Sequence, residues 1–295
     1  MRTPSERAEL ALLLEVAGAP KPGNVDRDRD LADLRFEQFL AGAVGARNGL
    51  ERAADAAEPL GDAFETAVVG MAEAAGTNTQ FGCLLLLTPL VRTAATGDLT
   101  RERAAEVAES TTVADAAGFY RAFEHTEVAV GEPPDDATRL DVRRGANAVP
   151  VLRERGLTLY DVMDLGADGD ANAREWTTGF PRVFDAAERI EAADGPLTDR
   201  AADAFLRLLA EAPDTLVVTE HGEAVAEDVR QRAEGLVDAE ESAVRAFADD
   251  LVERGVNPGT TADLTAAALY VALESGVSVA GVTTDGEGSG GGDGP

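Results

Sequence analysis

The sequence has very little lysine, cysteine and histidine. Its 295 residues include one lysine (Lys21), one cysteine (Cys83) and two histidines. A single cysteine excludes a disulfide within the chain and a cysteine-rich zinc site. Two histidines are too few for a histidine-based metal site, and no serine–histidine pairing suggests a hydrolase triad. We interpret Cys83, inside the apolar stretch FGCLLLLTPLV, as a small core residue.

Long apolar runs are also missing. The longest is far shorter than the ~20 residues that a membrane-spanning helix requires. The N-terminal stretch MRTPSERAEL lacks the apolar region of a signal peptide. The sequence therefore predicts a soluble, cytoplasmic protein that does not associate with membranes.

Acidic residues, in contrast, are abundant. The chain carries 55 Asp and Glu against 26 Lys and Arg, a formal net charge of −29. Such a surface repels nucleic acids and anionic lipids, so we expect neither as a partner. Carboxylates spread over every segment, with almost no lysine, are typical of a halophilic protein, whose charges are screened over ~3 Å at 1 M salt. The charge thus indicates habitat rather than mechanism.

Apolar residues recur at helical spacing from SERAELALLLEVAG near the N-terminus to TADLTAAALYVALESG near the C-terminus. Glycines between residues 35 and 57 suit close helix packing. The strand-like runs LVVT (216–219) and VSVAGV (277–282) are short and isolated. We predict an all-α bundle of roughly a dozen helices in one domain, residues 1–284, and a disordered acidic Gly-rich tail, residues 285–295. Helices rich in Ala and Gly suit a homo-oligomer and a monomer equally.

The stretch APKPGNVDRDRDL contains the only lysine. Prolines 20 and 22 exclude a helix there, and Gly23 permits a tight turn. The loop would project Lys21 from a stiff backbone, either as a solvated loop residue or as a point charge that binds phosphate. The aspartates that follow match an EF-hand loop only in part, since Leu31 replaces the required glycine. They form either an arginine-paired loop or a magnesium site beside a phosphate.

Three other polar segments precede or enter helices. In GTNTQFG the neutral side chains of residues 78–80 can cap the next helix or bind a ligand. In NPGTTADLTA, Thr260 is a candidate N-cap with Asp263 as its capping-box partner. Alternatively, Asp263 and the loop amides face an anion or its metal. Asp214, in APDTLV, is by itself an ordinary turn or cap residue.

Taken together, PKPGNVD, AGTNTQFG, APDTLV and NPGTTADLTA resemble, in type and order, the motifs of the triphosphoribosyl-dephospho-CoA synthase family from about residue 8 to 275. Those all-α enzymes transfer the ribose triphosphate of ATP to the ribose hydroxyl of dephospho-CoA and release adenine. The resemblance implies ATP and dephospho-CoA, or a related acceptor, as substrates and Mg²⁺ as cofactor. It implies nucleotide-binding residues Lys21, Gly23, Asn24, Asn78, Thr79, Gln80 and Gly259, catalytic candidates Asp26, Asp33 and Asp263, and metal ligands Asp214 and Asp263.

The sequence departs from the family motifs at several positions. A Gly-Ala-His-x-Asp-Met box is replaced by residues 31–34, LADL, without histidine, and an Asn-Thr-His turn ends in Gln80. The acceptor can therefore differ from dephospho-CoA. Two alternatives remain: another nucleotide-dependent transferase in cofactor biosynthesis, or a non-catalytic helical protein that binds a nucleotide or CoA. If the protein is such a transferase, we expect Lys21→Ala and Asp263→Asn to abolish activity and to leave the fold intact.

Overall fold

The computed structural model describes residues 2–131, 133 and 135–279. Its first half consists of seven α-helices. They are α1 (Pro4–Ala17), α2 (Phe36–Gly45), α3 (Arg47–Ala54), α4 (Leu60–Ala75), α5 (Phe81–Thr96), α6 (Arg101–Glu109) and α7 (Val113–Ala122).

Two short 3₁₀ segments, Asp135–Leu140 and Val142–Ala148, lead into the second half. The helices that follow are α8 (Val149–Arg155), α9 (Leu159–Gly166), α10 (Ala171–Thr178), α11 (Pro181–Ala192), α12 (Leu197–Glu211), α13 (Thr215–His221), α14 (Glu223–Glu234), α15 (Glu241–Glu253) and α16 (Gly259–Glu274). Within the described ranges no helix is both long and apolar enough to cross a bilayer.

The all-α prediction is confirmed, since the described residues form no β-strand. The interpretation of LVVT as strand-like is wrong, because residues 216–219 lie in α13. Asp214 caps that helix, and the capping hydrogen bonds outweigh the β-propensity of two valines. Helices α8, α9, α10 and α14 were not predicted, because short, polar segments carry weak periodicity. The predicted tail, residues 285–295, lies outside the described residues.

Helix α16 lies in the centre of the bundle. All its residues are buried except Gly259, Asp263 and Glu274. A helix that is apolar on every side is stable only when other helices surround it, and α1, α5, α11 and α12 do so here. Asp263 is therefore an acidic residue on the central helix, close to its N-terminal end.

Close helix packing in the first half depends on glycine, as predicted. Gly45 at the end of α2 faces Gly70 of α4, and a Cβ on Gly45 would lie 2.7 Å from the Cβ of Ala74. No side chain fits into this crossing. Replacing Gly45 would push α2 away from α4, and α4 holds much of the apolar core.

The predicted capping box at Thr260 is wrong. Helix α16 begins at Gly259, with Pro258 as the N-cap, so Thr260 lies inside the first turn. Its hydroxyl accepts a hydrogen bond from the backbone N–H of Leu216 at 3.2 Å. The physical reason is tertiary: Asp214 accepts from the backbone N–H of Thr261 at 2.7 Å, so the helix end is satisfied by a distant segment.

Candidate active site

The only lysine of the chain is completely buried. Lys21 has an exposed fraction of 0%, and its ammonium group forms an ion pair with Glu15 of α1. Its Nζ also donates to Asn24 Oδ1 at 3.3 Å and lies 5.8 Å from the ring centroid of Phe205 in α12. The alternative of a solvated loop lysine is therefore wrong, because the loop folds back between α1 and α12.

A buried aspartate holds the lysine loop in shape. Asp26 accepts hydrogen bonds from the backbone N–H of Lys21 at 3.0 Å and of Asp28 at 2.8 Å. It also pairs with Arg29 at 3.3 Å. These three partners fix the Asp26 carboxylate, which holds the loop in shape, and the catalytic role of Asp26 stays a prediction.

The lysine loop packs directly against the loop that precedes α16. Gly23 has φ 73°, and a Cβ there would lie 2.9 Å from Pro258 Cδ. Asn24 Nδ2 donates to Asn257 Oδ1 at 2.9 Å. Glycine is needed at this position for both its backbone conformation and its small size. The first and last sequence motifs are thus in contact, although more than 230 residues separate them.

The acidic segment after the loop is paired with arginine. Asp28 bonds Arg245 at 2.8 Å, and Arg29 bonds Asp249 of α15 at 2.6 Å. Asp33 is exposed and forms no hydrogen bond or ion pair with the buried groups of the described structure. The structure thus fits the arginine-paired loop, and it does not bring Asp33 to the other candidates.

The turn before α5 points partly outward. Asn78 Oδ1 accepts from the backbone N–H of Phe81 at 3.1 Å, as a cap does, and its Nδ2 donates to the carbonyl of Glu127. Thr79 is half-buried. Gln80 is buried, and its Nε2 has no hydrogen-bond partner. These residues shape the N-terminal end of α5, and their nucleotide-binding role stays a prediction.

Asp214 connects α13 to α16. Its Oδ1 accepts from the backbone N–H groups of Leu216 and Val217, and its Oδ2 accepts from the N–H and the hydroxyl of Thr261, both at 2.7 Å. Burial raises the pKa of this carboxyl, and the hydrogen bonds from Thr261 oppose the rise. Both oxygens are therefore engaged by the protein, whereas the predicted metal role of Asp214 stays untested.

Asp263 lies where three helices meet. Its Oδ2 accepts from Asn172 Nδ2 of α10 at 2.8 Å, and its Oδ1 accepts from the thiol of Cys83 in α5 at 3.2 Å. A Cβ on Gly82 would lie 2.7 Å from Asn172 Nδ2 and still closer to Asp263 Oδ2. Only glycine at position 82 lets α5 approach this carboxylate. Cys83 is buried, as predicted, and contacts the site.

The environment of Asp263 is suited to proton transfer. Burial raises its pKa to about 7, while the hydrogen bonds from Asn172 and Cys83 lower it and the charge of Asp214 raises it. Burial and the neighbouring Asp263 and Glu15 also raise the pKa of the Cys83 thiol. Cys83 is therefore a neutral donor, and Asp263 changes protonation near neutral pH.

The N-terminal ends of helices converge around Asp263. Gly82 and Asn172 are the second residues of α5 and α10, and Asp263 lies one turn into α16. Thr215, the first residue of α13, bonds Thr260 at 3.1 Å and accepts from the N–H of Ala171 at 3.3 Å. Helix N-termini present N–H donors and partial positive charge, so this cluster favours an anion in an otherwise acidic protein.

The converging ends are open to solvent along one edge. Gly82, Asp263, Asn257 and Gly259 are each partly exposed. Two cavities of about 450 Å³ lie elsewhere, one beside Arg92 and the other lined by α11 and the end of α16; neither includes these residues. We therefore place access to Asp263 along this edge.

Several residues of the site were not predicted from the sequence. Glu15 and Asn172 belong to helices whose sequences give no sign of a polar cluster, and Gly82 ends the GTNTQFG segment, in which only residues 78–80 were predicted to bind a ligand. Glu15 and Gly82 occupy positions in the helical pattern that are usually structural. The only available signal was indirect: a glutamate on the apolar side of α1 requires a buried cation.

No group of three His, Cys, Asp or Glu side chains in the described ranges is arranged as a metal site. Magnesium needs few protein ligands when a substrate supplies phosphate oxygens. Asp263 is a partly exposed carboxylate and fits such a role, whereas Asp214 would have to lose hydrogen bonds to Thr261 and α13. Magnesium binding stays a prediction.

Comparisons with known proteins agree with this architecture. The family model described as CitG, ATP:dephospho-CoA triphosphoribosyl transferase, matches residues 1–280. A crystal structure from Archaeoglobus fulgidus, of a protein described as a proposed triphosphoribosyl-dephospho-CoA synthase, is 25% identical with a TM-score of 0.67, over 81% of this chain and 99% of that one. No curated protein matches significantly. The chain belongs to the ATP:dephospho-CoA triphosphoribosyl transferase family, as the sequence motifs predicted.

Proposed function

We propose that the helix ends around Asp263 form the transfer site of this ATP:dephospho-CoA triphosphoribosyl transferase. The observation that carries the proposal is the convergence of the N-terminal ends of α5, α10 and α16 on one partly exposed carboxylate. The partial positive charge at three helix N-termini suits the triphosphate of ATP. The carboxylate is then next to the sugar that carries the phosphates.

The proposed reaction needs one acid–base group at the reacting carbon. The ribose hydroxyl of the acceptor attacks C1′ of ATP, the bond from C1′ to the adenine nitrogen breaks, and adenine leaves with the bond electrons and takes up a proton. Asp263 accepts the proton of the attacking hydroxyl. Its pKa of about 7 places it close to the value at which a general base works best at neutral pH. The ionised carboxylate also stabilises positive charge at C1′.

The triphosphate is expected to bring magnesium, held mainly by phosphate oxygens and water. We assign Asp214 to joining α13 and α16, because four hydrogen bonds already fix its carboxylate. For Lys21 to contact a phosphate, that phosphate would have to enter the buried space that Lys21 shares with Glu15 and Asn24. The loop around Lys21 therefore supports the edge of the site through Asn257 and Pro258.

Release of adenine tests the proposal. The protein is incubated with ATP, magnesium and dephospho-CoA at high salt, and free adenine and a new CoA species are followed by chromatography. We expect adenine release that requires dephospho-CoA and is lost on chelation of magnesium. Asp263→Asn should lower the rate by about 10²- to 10⁴-fold, whereas Asp164→Asn, an exposed control outside the cluster, should not.

The same assay separates the alternatives. Adenine release only with another acceptor would support the transfer site and show that the acceptor is not dephospho-CoA. Other acceptors are worth testing because the LADL segment and Gln80 depart from the family motifs. Binding of ATP without adenine release over a broad acceptor panel would contradict the proposal and leave a nucleotide-binding protein. Full activity of Asp263→Asn would remove Asp263 from the mechanism.

A further inference from the structure

In the side-chain amide of Asn172, the nitrogen is hydrogen-bonded and the oxygen is not. Its Nδ2 donates to Asp263 Oδ2 at 2.8 Å. Its Oδ1 is buried and has no hydrogen-bond partner, although the residue is only 6% exposed. A buried acceptor without a donor destabilises the folded protein. Such a group beside a catalytic carboxylate suggests that a ligand supplies the missing donor.

The orientation of this amide follows from its neighbours. Rotating it by half a turn would place Oδ1 against the Asp263 carboxylate, so that two acceptors face each other. The backbone N–H of Asn172 is also fixed, since it donates to Asp170 Oδ1 at 2.8 Å in the first turn of α10. The free acceptor is thus held in place by both the backbone and the side chain.

Gly82 lets α5 pack closely against this amide. A Cβ at that position would lie 2.7 Å from Asn172 Nδ2. Because Gly82 and Asp263 are both partly exposed, the edge of the site next to Asn172 is open to a substrate. The amide of Asn172 therefore contacts a carboxylate at this open edge, and a ligand that binds there meets its buried Oδ1 one atom behind.

We infer that Asn172 Oδ1 accepts a hydrogen bond from the 2′-hydroxyl of the ribose that is transferred from ATP. This inference rests on the proposed function, in which Asp263 acts at C1′. Oδ1 and Nδ2 of Asn172 are bonded to the same carbon, and Nδ2 contacts Asp263. A substrate group that donates to Oδ1 must therefore lie next to the substrate group that contacts Asp263. The 2′-hydroxyl is on the carbon adjacent to C1′. The adenine amino group lies at the far side of the purine and is out of reach.

A hydrogen bond to this hydroxyl would contribute to the chemistry as well as to binding. Positive charge develops at C1′ when adenine leaves, and hydrogen bonds to the neighbouring 2-hydroxyl strengthen in such transition states. Asn172 would then act through both ends, with Nδ2 orienting the Asp263 carboxylate and Oδ1 orienting the sugar. It selects a ribonucleotide over a 2′-deoxyribonucleotide.

The test compares ATP with 2′-deoxy-ATP in the full-length protein. The ratio of their kcat/KM values is measured, by adenine release, for the wild type, Asn172→Ala, Asn172→Asp and the exposed control Asn147→Ala. Asn172→Asp keeps an acceptor oxygen, whereas Asn172→Ala removes it. Because each ratio is internal to one variant, a general loss of activity cancels. Circular dichroism and thermal unfolding confirm that each variant is folded.

We expect the wild type, Asn147→Ala and Asn172→Asp to prefer ATP by about 10- to 100-fold, in line with an unpaired buried acceptor. Asn172→Ala should prefer it by less than about 3-fold. Equal preference in Asn172→Ala and the wild type, or no preference in the wild type, would overturn the inference while the proposed function stands. No adenine release from ATP by the wild type would overturn both.

Discussion

Asp263 is an acidic residue on the most deeply buried helix, and this position has a thermodynamic consequence. Burial raises its pKa from 3.8 to about 7. The folded protein therefore holds a proton in the range between these values that the unfolded chain releases. By linkage, the stability that this residue contributes is complete below about pH 4 and is lost as the pH rises through 7.

The first prediction concerns this linkage. Asp263→Asn removes the ionisation, so its free energy of unfolding should fall less between pH 4 and 8 than that of the wild type, by on the order of 1 kcal/mol or more. The measurement is chemical denaturation at a series of pH values and constant salt, with Asp164→Asn as the control. Parallel pH dependences in the wild type and Asp263→Asn would contradict the raised pKa.

The catalytic rate should also depend on the ionisation of Asp263. It should increase over the pH range in which the stability decreases. As a general base Asp263 must be ionised, so kcat/KM should rise with pH and level off above about 7. Cys83→Ala removes a hydrogen bond that lowers this pKa, and the midpoint should therefore move upward. A pH profile that does not differ between Cys83→Ala and the wild type would show that the thiol has no influence on Asp263.

Lys21 and Glu15 provide a third prediction for single residues. Lys21→Met leaves Glu15 buried without its counter-ion, and breaking such a pair costs about 3–5 kcal/mol. For this reason we expect Lys21→Ala to lose stability as well as activity. The double variant Lys21→Met/Glu15→Leu removes both charges and should recover most of the loss, as measured by denaturant unfolding.

The double variant also separates two roles of Lys21. If the lysine only holds its loop, the stabilised double variant regains adenine release. If it binds a phosphate, the double variant is stable and its KM for ATP remains high. Equal stability of the single and double variants would show that Glu15 without its counter-ion does not destabilise the protein.

At the scale of helices, the site depends on how closely α5 approaches α10 and α16. Gly82→Ala places a Cβ inside contact distance of Asp263 and Asn172, so these helices must separate. We expect a loss of at least about 10-fold in kcat/KM, because small displacements of catalytic groups are costly. Gly166→Ala is the matched control: its Cβ would lie 3.6 Å from the Cβ of Ala173, which is ordinary contact. Retained activity in Gly82→Ala would contradict this arrangement.

At the scale of the whole molecule, the net charge of −29 predicts a salt requirement. Repulsion among carboxylates destabilises the compact state, and salt screens it. Many carboxylates are already paired with arginine, as in the contacts of Arg230 with Glu227 and Glu234. We nevertheless expect the melting temperature to rise steadily with KCl from 0.1 to 2 M, by about 10 °C or more. A melting temperature independent of KCl would contradict a halophilic surface.

Much of the architecture was predictable, because long amphipathic or apolar helices carry their own signal. The segments of α1 and α16, SERAELALLLEVAG and TADLTAAALYVALESG, were predicted within a few residues of their observed ends. Short helices such as α10 were not, since their few apolar residues become buried only when other helices cover them. LVVT shows the same limitation: β-branched residues entered a helix because Asp214 capped it.

The motifs also indicated the family, and they supplied Asp263 and Asp214 as polar residues near helix starts. They did not reveal which partners these carboxylates have. Asn172 and Gly82 lie 91 and 181 residues from Asp263 in the sequence, and no local pattern relates them to it. Lys21 was expected to project from its loop, whereas Glu15, six residues earlier, draws it into the core.

The sequence by itself determined the helical class, the acidic surface and the loops that carry the polar residues, because composition and periodicity are local properties. Only the tertiary structure decided that the N-terminal ends of three helices meet at Asp263, that Lys21 is buried, and that Asn172 presents a free acceptor. The physical reason is that burial and hydrogen-bond partners depend on contacts between distant residues. These contacts form only when α16 is enclosed by the other helices.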